Sequence, residues 1–297
     1  MQETIQQPEG GAAVRSSDGL DAVLCGDNCE VMRTLPSESV DLVVTSPPYW
    51  GLREYGIEGQ IGKEPTPKDF VNKLVSVFQE VRRLLKKDGT LWLNIGDSYS
   101  RQAGNEETKY ATMNTLSVGQ INCYKNGAIP HKKNKPPAGM KAKDMMGIPW
   151  MLAFALRDSG WYLRQEIIWH KPNPMPESVK DRCTKAHEHI FLLSKSEKYK
   201  FNQIRGVNNE NIRSVWSIPV RASTAGHFAA YPETLVKKCV LAGSNPGDVV
   251  LDPFAGSGTT LKVARDHGRR YMGIEINPKF VEIIKKRLAQ DAMSLGV

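Results

Sequence analysis

Two short apolar segments separated by one amphipathic segment constrain the fold of this 297-residue chain more than any other feature. Within residues 68–87 the apolar positions recur at steps of three and four, as on one face of a helix, and are Phe70, Leu74, Val77, Val81, Leu84 and Leu85. Asp88-Gly89 is predicted to end this helix. The flanking residues 40–45 and 90–95 are largely apolar runs typical of buried strands. A strand, a helix and a strand in this order predict a right-handed crossover and a parallel sheet.

The same alternation continues over most of the chain. Further strands are predicted at residues 22–25, 162–170, 188–194, 249–251 and 270–275. Further helices are predicted at residues 28–35, 148–157, 231–242, 259–267 and 278–293. We therefore expect an α/β fold with a doubly wound, mostly parallel sheet. The length suffices for one large domain or for a domain with an insertion.

The alternation fails in two polar segments and in a loose tail at residues 1–17. Residues 101–146 carry eight basic and three acidic side chains, a net charge of +5, with little hydrophobic periodicity. Residues 202–226 form a second polar, basic segment. Basic charge with interleaved aromatic residues is typical of a surface that meets phosphates, although a solvated loop without a partner has the same composition. The net charge of the whole chain, +8, is also permissive of nucleic acid.

Composition argues against several other classes. The chain has no run of about 18 apolar residues and no apolar signal core near its start, so we expect a cytoplasmic protein. The five cysteines are odd in number and scattered, which favours reduced thiols. Cys183, His187 and His189 are close in sequence, but a structural zinc site needs four ligands, and no metal is expected.

Residues 46–49, Ser-Pro-Pro-Tyr, follow the strand predicted at residues 40–45 and are called the Ser-Pro-Pro loop. Each proline fixes φ near roughly −65°, lacks an N–H and keeps the preceding residue out of the helical region. Ser46 and Pro47 are therefore held extended, and their carbonyl oxygens are free to accept from a ligand. The loop thus presents a hydroxyl, carbonyl oxygens and the flat ring of Tyr49, which suit a planar polar substrate. The alternative interpretation of these residues is an ordinary turn that ends a buried strand.

Residues 254–258, Phe-Ala-Gly-Ser-Gly, are called the glycine loop and lie between a predicted strand and a predicted helix. There a ligand can approach the backbone near a helix N-terminus. The dinucleotide fingerprint and the P-loop pattern are both incomplete. Glu275 ends the next strand, where an acid can accept both ribose hydroxyls, unless it is a surface acid that begins a turn. A nucleoside with a carboxylate in place of phosphates satisfies both features, and S-adenosylmethionine is such a molecule.

Residues 44–49 and residues 252–260 together resemble the motifs of the amino-methylating DNA methyltransferases. Their order is the permuted one, in which the catalytic motif precedes the cofactor motif. The resemblance covers nearly the whole chain apart from the tail and the two polar segments. It implies a seven-stranded methyltransferase sheet with a hairpin edge.

The resemblance also implies a division of the chain. Residues 18–100 and 147–297 would form the catalytic domain, with the cofactor half mainly in residues 227–297. The basic charge and broken periodicity of residues 101–146 lead us to expect that they form a target-recognition insertion, helped by residues 202–226.

Carried over residue by residue, the resemblance assigns the glycine loop to the methionine part of S-adenosylmethionine, Glu275 to its ribose and Asp27 to its adenine amino group. His227-Phe228 and Tyr231 resemble the segment that closes over the methionine end. The full set assigned to the cofactor is Asp27, Thr45, Ser46, His227, Phe228, Tyr231, Asp252, Pro253, Phe254, Ala255, Gly256, Ser257, Gly258, Thr259, Glu275 and Ile276.

The resemblance assigns catalysis to Ser46, Pro47, Pro48 and Tyr49. The Ser46 hydroxyl and the Pro47 carbonyl would each accept one hydrogen of the target amine. These two hydrogen bonds would draw the nitrogen toward tetrahedral geometry and direct its lone pair at the methyl group. Tyr49 would stack on a base flipped out of the duplex. DNA contacts are expected from Trp50, Lys132, Lys133, Lys135, Lys171 and Arg182. For residues 171–176 and Arg182, the alternative is a purely structural proline-rich connection.

Within that family Ser-Pro-Pro-Tyr preceded by Thr is similar to cytosine-N4 enzymes, whereas Asp or Asn in place of Ser points to adenine-N6, with exceptions. The expected activity is methyl transfer to N4 of cytosine in double-stranded DNA, with adenine N6 as the alternative. RNA or protein methylation is less favoured by the motif order, and both intact loops disfavour a non-enzymatic DNA-binding module. C5 methylation needs a cysteine nucleophile, usually after a proline, and the chain has no Pro-Cys. This expectation is compatible with a restriction–modification system that includes a cognate endonuclease. It is also compatible with a protein that associates with the nucleoid and is a monomer or a homodimer.

Overall fold

The structure is a computed structural model that describes residues 20–51, 57, 59–100, 140–205, 209–220 and 231–295, so the predicted tail lies outside the described residues. Its strands are β1 (Ala22–Cys25), β2 (Val40–Thr45), β3 (Leu85–Ile95), β4 (Tyr162–His170), β5 (His187–Ser194), β6 (Val215–Ser217), β7 (Val249–Asp252) and β8 (Arg270–Glu275). Its helices are α1 (Asn28–Arg33), α2 (Pro67–Leu84), α3 (Ile148–Asp158), α4 (Glu233–Gly243), α5 (Thr259–Asp266) and α6 (Pro278–Leu295).

The eight described strands form one sheet in the order β1-β8-β7-β2-β3-β5-β4-β6. Among these strands only β5 runs against the others, and it pairs antiparallel with β3 and β4. The expected doubly wound, mostly parallel sheet with a hairpin edge is therefore confirmed. The sheet has eight strands where seven were expected, because β6 adds a short parallel edge beside β4 within the second polar segment.

Helices cover both faces of the sheet. Helices α1, α2 and α3 contribute to an apolar cluster on one face, and α4 contributes to a cluster on the other face. In strand β2, Val43 belongs to the first cluster, whereas Leu42 and Val44 belong to the second. Since β2 is buried on both faces, its sequence is a nearly continuous apolar run and does not alternate with polar residues.

The junction between α2 and β3 differs from the prediction. Helix α2 ends at Leu84, and Leu85 is already extended, with φ −63° and ψ 138°. Strand β3 therefore includes Asp88-Gly89, which was expected only to end the helix. Lys86 donates to both carboxylate oxygens of the buried Asp41 in β2, each at 2.9 Å. Pairing with β2 overrides the helical pattern of this segment, and such tertiary contacts are not encoded in local periodicity.

Parts of the two polar segments belong to the α/β fold. Residues 101–139 lie outside the described residues, but residues 140–146 pack beside the end of β3, where the Ser100 N–H donates to the Asp144 carbonyl at 2.7 Å. In the second segment the Asn202 side chain donates to the carbonyls of Leu241 at 3.1 Å and Ser244 at 2.9 Å. Both segments are therefore anchored at an end that continues the main fold.

The four described cysteines, Cys25, Cys29, Cys183 and Cys239, are free thiols. Burial raises the pKa of Cys25, Cys29 and Cys239, which favours the unreactive protonated form. In the described part of the chain, no three or more His, Cys, Asp or Glu side chains are grouped so that they could bind a metal ion. None of the described helices has both the length and the apolar character of a membrane span.

Candidate active site

The strand order reverses between β7 and β2. From β2 the chain moves to β3 on one side, and from β7 it moves to β8 on the other side. In open α/β sheets, ligands bind at such a point, in the crevice beyond the carboxyl ends of the strands. The Ser-Pro-Pro loop follows β2 and the glycine loop follows β7, so the topology brings both loops to one crevice.

A buried carboxylate joins the two loops. Thr45, the last residue of β2, donates its hydroxyl to Asp252 Oδ1 at 2.6 Å, although the two residues are 207 positions apart. The Phe254 N–H donates to the same oxygen at 3.0 Å, and the hydroxyls of Tyr231 and Thr260 lie 3.0 and 2.8 Å from Asp252 Oδ2. Burial raises the pKa of Asp252, while these hydrogen bonds act in the opposite direction. Asp252 thus fixes the end of β2, the glycine loop and the starts of α4 and α5 relative to one another.

The two glycines of the glycine loop both have a positive φ, which favours glycine, but they differ in their surroundings. Gly258 is the N-cap of α5 with φ 78°, and a Cβ atom there would lie only 2.8 Å from Ile284 Cγ2. Gly256 has φ 53°, and a Cβ there would meet only the Phe254 carbonyl oxygen, at 3.8 Å. The absence of a side chain at Gly258 allows α5 to pack against α6, and beside Gly256 there is open space.

Arg287 of α6 holds the glycine loop from outside. Its guanidinium donates to the Ser257 carbonyl at 3.1 Å and to the Thr259 hydroxyl at 3.2 Å. It also donates to Glu233 in the first turn of α4 at 2.7 Å. The loop is therefore positioned by a side chain of α6 that is itself paired with α4, in addition to the loop's own backbone.

Two acids lie at the carboxyl ends of the neighbouring strands β8 and β1. Glu275 accepts the Gly256 N–H at 2.8 Å and the Asn277 N–H at 2.9 Å, one on each oxygen. Burial raises the pKa of Glu275, against the effect of these hydrogen bonds. Asp27 caps α1 by accepting the N–H groups of Cys29 at 2.9 Å and Glu30 at 3.1 Å on one oxygen. Each Glu275 oxygen, and the second Asp27 oxygen, retains capacity to accept from a ligand.

These features fit S-adenosylmethionine. The space beside Gly256 would admit a ligand next to the backbone, and Glu275, which accepts the Gly256 N–H, supplies acceptors for two hydroxyls. Helix α5 begins at Thr259 with Gly258 as its N-cap, so its first N–H groups lie at the glycine loop, and a helix N-terminus is where a carboxylate is best accommodated. Ile276 follows Glu275 directly, at the end of β8.

The side chains of the Ser-Pro-Pro loop belong to a polar network that the sequence did not reveal. The Tyr49 hydroxyl donates to Glu188 Oε2 at 2.6 Å. Asn94 Nδ2 lies 3.0 Å from the same oxygen, 3.3 Å from Ser46 Oγ and 3.3 Å from the Tyr49 hydroxyl. The Tyr49 ring packs against Gly96, where a Cβ would lie 2.7 Å from Tyr49 Cε2. Ser46 and Tyr49 are thus held by residues of β3 and β5.

The predicted DNA-contacting residues that the structure describes have partners within the protein. Trp50 donates to the Glu64 carbonyl at 2.9 Å. Lys171 forms an ion pair with Glu188 and is 18% exposed. Arg182 pairs with Glu177 at 2.6 Å and lies over the Tyr99 ring, with its Cζ 3.9 Å from the centroid. Outside the described residues lie the other predicted DNA contacts, Lys132, Lys133 and Lys135, and two predicted cofactor residues, His227 and Phe228.

Sequence reasoning missed Asn94, Glu188, Thr260 and Arg287. Asn94 carried a signal, because it is a polar residue near the end of an otherwise apolar buried run. Glu188 carried none, since its place beside the Ser-Pro-Pro loop depends on the reversed direction of β5.

The comparisons with known proteins agree with this geometry. The family model described as DNA methylase matches residues 40–286. Type II methyltransferase M.XycI of Xanthomonas campestris pv. cyanopsidis is 48% identical over 278 residues, which cover 89% of this chain and 86% of that protein.

Two solved structures share the fold. TTHA0409 of Thermus thermophilus, complexed with S-adenosyl-L-methionine, has a TM-score of 0.62 and 27% identity, covering 90% of this chain and 93% of that one. The cytosine-N4-specific PvuII DNA methyltransferase has a TM-score of 0.64 and 21% identity, covering 90% of this chain and 85% of that one. The chain therefore belongs to the N6/N4 family of DNA methylases, and its cofactor is S-adenosylmethionine.

Proposed function

We propose that this DNA methyltransferase methylates the exocyclic N4 amine of cytosine in double-stranded DNA. The observation that carries the proposal is Ser46, which follows Thr45 in the Thr-Ser-Pro-Pro-Tyr order and lies at the crevice shared with the glycine loop. Adenine N6 is the second candidate, because the same acceptors would serve either amine.

The amine of a nucleobase is a poor nucleophile, since its lone pair is conjugated into the ring. S-adenosylmethionine supplies a methyl group on a positively charged sulfur that is itself the leaving group. Ser46 Oγ and the Pro47 carbonyl each accept one amine hydrogen and so favour tetrahedral geometry at the nitrogen, with its lone pair directed at the methyl group. Both oxygens also stabilise the positive charge that develops on the nitrogen, whose proton then leaves to water.

On the cofactor side, residues 254–258 would enclose the methionine part, Glu275 would accept from the ribose hydroxyls, and Asp27 would accept from the adenine amino group. The open space at Gly256 and the free acceptor capacity of both acids support these roles. Thr45, Asp252 and Tyr231 would act by holding the loops in register, as their mutual hydrogen bonds indicate. His227-Phe228 would close over the methionine end.

A base in duplex DNA cannot reach the crevice while stacked, so we infer that it is flipped out. Tyr49 would stack on it, a contact worth about 1–3 kcal/mol. Residues 101–146, helped by residues 202–226, would read the target sequence, an inference supported by the net charge of +5 in residues 101–146. Such an enzyme would work in the cytoplasm on chromosomal DNA, with a companion endonuclease in a restriction–modification pair.

The test of the base and atom is a product analysis. The protein is incubated with unmethylated genomic DNA and labelled S-adenosylmethionine, and the DNA is digested to nucleosides for mass spectrometry. N4-methylcytosine is the expected product. N6-methyladenine alone would show that the second candidate is right, and absence of transfer to DNA would refute the proposal.

The role of Ser46 is tested by Ser46→Ala, which removes one amine acceptor. We expect single-turnover rates to fall by about 10- to 100-fold, since one hydrogen bond to a developing charge is lost. The matched control is Ser76→Ala on the exposed face of α2, where the hydroxyl donates to the Asn72 carbonyl at 3.2 Å and to no other described residue. A Ser46→Ala rate within threefold of wild type would contradict the assignment.

A further inference from the structure

The two segments that flank residues 101–139 lie side by side. Residues 98–100 and residues 143–146 are antiparallel and are together called the stem. The Lys143 N–H, for example, donates to the Ser100 carbonyl at 3.0 Å. Because the stem follows the carboxyl end of β3, it attaches the polar segment at the crevice edge of the sheet.

The base of the stem is fixed to the main fold. The carboxylate of Asp97, which directly precedes the stem, accepts the Gly147 N–H at 3.0 Å and the Ile148 N–H at 3.2 Å, at the start of α3. Lys185 donates to the carbonyl of Asp97. The stem therefore begins and ends at points that β3 and α3 hold in place.

The connection between β4 and β5, residues 171–186, contacts both sides of the stem. On one side Arg182 lies over the Tyr99 ring, with its Cζ 3.9 Å from the ring centroid. On the other side Lys143 Nζ donates to Asp181 at 2.7 Å. Asp181 and Arg182 are consecutive, so one short piece of the connection holds the two segments of the stem together.

The charge of Arg182 is already compensated within the protein. Its Nη1 donates to Glu177 at 2.6 Å and to the Cys183 carbonyl at 3.2 Å, and its side chain is 26% exposed. The Tyr99 ring covers one face of the guanidinium. A planar group that stacks on a ring and pairs with an acid orients its neighbours in a way that a flexible ammonium does not.

We propose that Arg182 and Tyr99 are positioning residues for target recognition, which set the orientation of the stem and thereby of residues 101–146 relative to the crevice. The inference rests on the proposed function, in which residues 101–146 recognise the target sequence. Arg182 acts through Tyr99 and does not bind a phosphate.

The two kinds of DNA contact differ in how strictly they depend on orientation. Hydrogen bonds to base edges need donors and acceptors placed to fit one base pair, whereas attraction to phosphates acts on every sequence. A stem that is free to shift should therefore weaken discrimination between sequences and leave non-specific binding unchanged. An Arg182 that binds a phosphate would have the opposite signature, because each such contact contributes about one unit to the slope of log K against log salt concentration.

The experiment measures sequence discrimination and salt dependence separately. Wild type first methylates unmethylated genomic DNA, and sequencing of the modified bases gives the target sequence. Discrimination is then kcat/KM for a duplex with that target, divided by kcat/KM for a duplex with one altered base pair. The Kd for a duplex without the target is measured at several salt concentrations, and the thermal midpoint checks folding.

Four variants are compared with wild type, namely Arg182→Met, Arg182→Lys, Tyr99→Leu and the double variant of Arg182→Met and Tyr99→Leu. Tyr99→Leu changes no charge, and Arg182→Lys keeps the charge but loses the planar group. The matched control is Arg157→Met, at the opposite end of α3 from the stem. Arg157 has its Cζ 5.0 Å from the Phe154 ring centroid and pairs with Asp158 at 3.3 Å, which is the same kind of arrangement.

We expect Arg182→Met and Tyr99→Leu each to lower discrimination by about 5- to 20-fold, and Arg182→Lys by at least about threefold. Non-specific Kd should stay within about twofold of wild type, with the salt slope unchanged within about 0.3. The double variant should lose no more than about threefold beyond the weaker single variant, since both changes remove the same contact. Arg157→Met should keep discrimination within about twofold of wild type.

The opposite results would overturn the proposal. A salt slope smaller by about one in Arg182→Met, with Tyr99→Leu like wild type, would show that Arg182 is a phosphate contact. Discrimination within about twofold of wild type in both single variants, or losses that multiply in the double variant, would also refute it. If Arg182→Met does not fold, Arg182→Lys and Tyr99→Leu carry the test with the same criteria.

Failure of this inference can be told apart from failure of the proposed function. A wild type that methylates one sequence, together with variants that keep its discrimination, refutes the inference alone. A wild type that methylates DNA without sequence preference refutes the recognition role of residues 101–146 and the inference with it. The base that is methylated does not enter the ratio, so the product analysis is an independent test.

Discussion

Removal of the Thr45 hydroxyl tests whether the buried carboxylate at Asp252 joins the two halves of the site. Thr45→Val replaces a hydroxyl by a methyl group of similar size at a position with 0% exposure. The lost hydrogen bond, 2.6 Å long, leads to a carboxylate that is 1% exposed. The variant leaves the other donors to Asp252 in place, namely Tyr231, Thr260 and the Phe254 N–H.

The magnitude follows from the charge and burial of the acceptor. A hydrogen bond to a charged group contributes about 1.5–3 kcal/mol to stability. The side chain keeps its volume, so a cavity adds little, and the free energy of unfolding should fall by about 1.5–3 kcal/mol. For a chain of this size we expect the thermal midpoint to fall by roughly 3–6 °C.

The deficit should also depend on pH. The Thr45 hydroxyl stabilises the ionised form of Asp252, so its loss matters at pH values above the pKa of that group. Burial raises this pKa, and wild type accordingly loses stability as the pH rises through it. The difference between Thr45→Val and wild type should therefore shrink as the pH falls through a pKa that lies above the usual value of about 4.

Urea and thermal unfolding of both proteins at several pH values provide the measurement. Thr34→Val is the matched control, because its hydroxyl contacts the Val31 carbonyl at an exposed helix end, at 2.8 Å, and its loss should cost less than about 0.5 kcal/mol. A Thr45→Val protein as stable as the control, or a deficit that grows on acidification, would refute the reasoning.

Two further predictions concern the glycine loop and an ion pair at the other end of the sheet. Gly258→Ala should destabilise the protein by about 1–3 kcal/mol more than Gly256→Ala in urea unfolding, because both have positive φ but only the first meets Ile284, at 2.8 Å; equal losses would contradict the packing argument. Burial acts to raise the pKa of Asp248, but the hydrogen bonds from Lys200 and from the Asn245 N–H lower it below its usual value. Asp248→Asn should therefore lower the free energy of unfolding by up to about 1 kcal/mol above pH ~4, and by progressively less as the pH falls through the lowered pKa. A pH-independent difference would show that the pair contributes no electrostatic stability.

The sequence alone predicted most elements and the residues of both loops. Strands 22–25, 40–45, 162–170 and 270–275 have the bounds that were predicted, because hydrophobic runs and turn residues act over a few positions. The Ser-Pro-Pro and glycine loops were recognisable for the same reason, since proline and glycine constrain the backbone wherever they occur. The roles of individual cofactor and DNA residues stay predictions.

What the tertiary structure decided is where distant segments meet. The start of β3 at Leu85, the edge strand β6 and the bond from Thr45 to Asp252 all depend on pairing between segments that periodicity treats as independent. Glu188 illustrates the same limit, because its position in the sequence is an ordinary strand start. It lies beside the Ser-Pro-Pro loop because β5 is reversed, which places the Glu188 carboxylate next to Tyr49 and Asn94. Local chemistry therefore specified the two loops, and strand order and direction specified which polar and charged side chains contact the Ser-Pro-Pro loop.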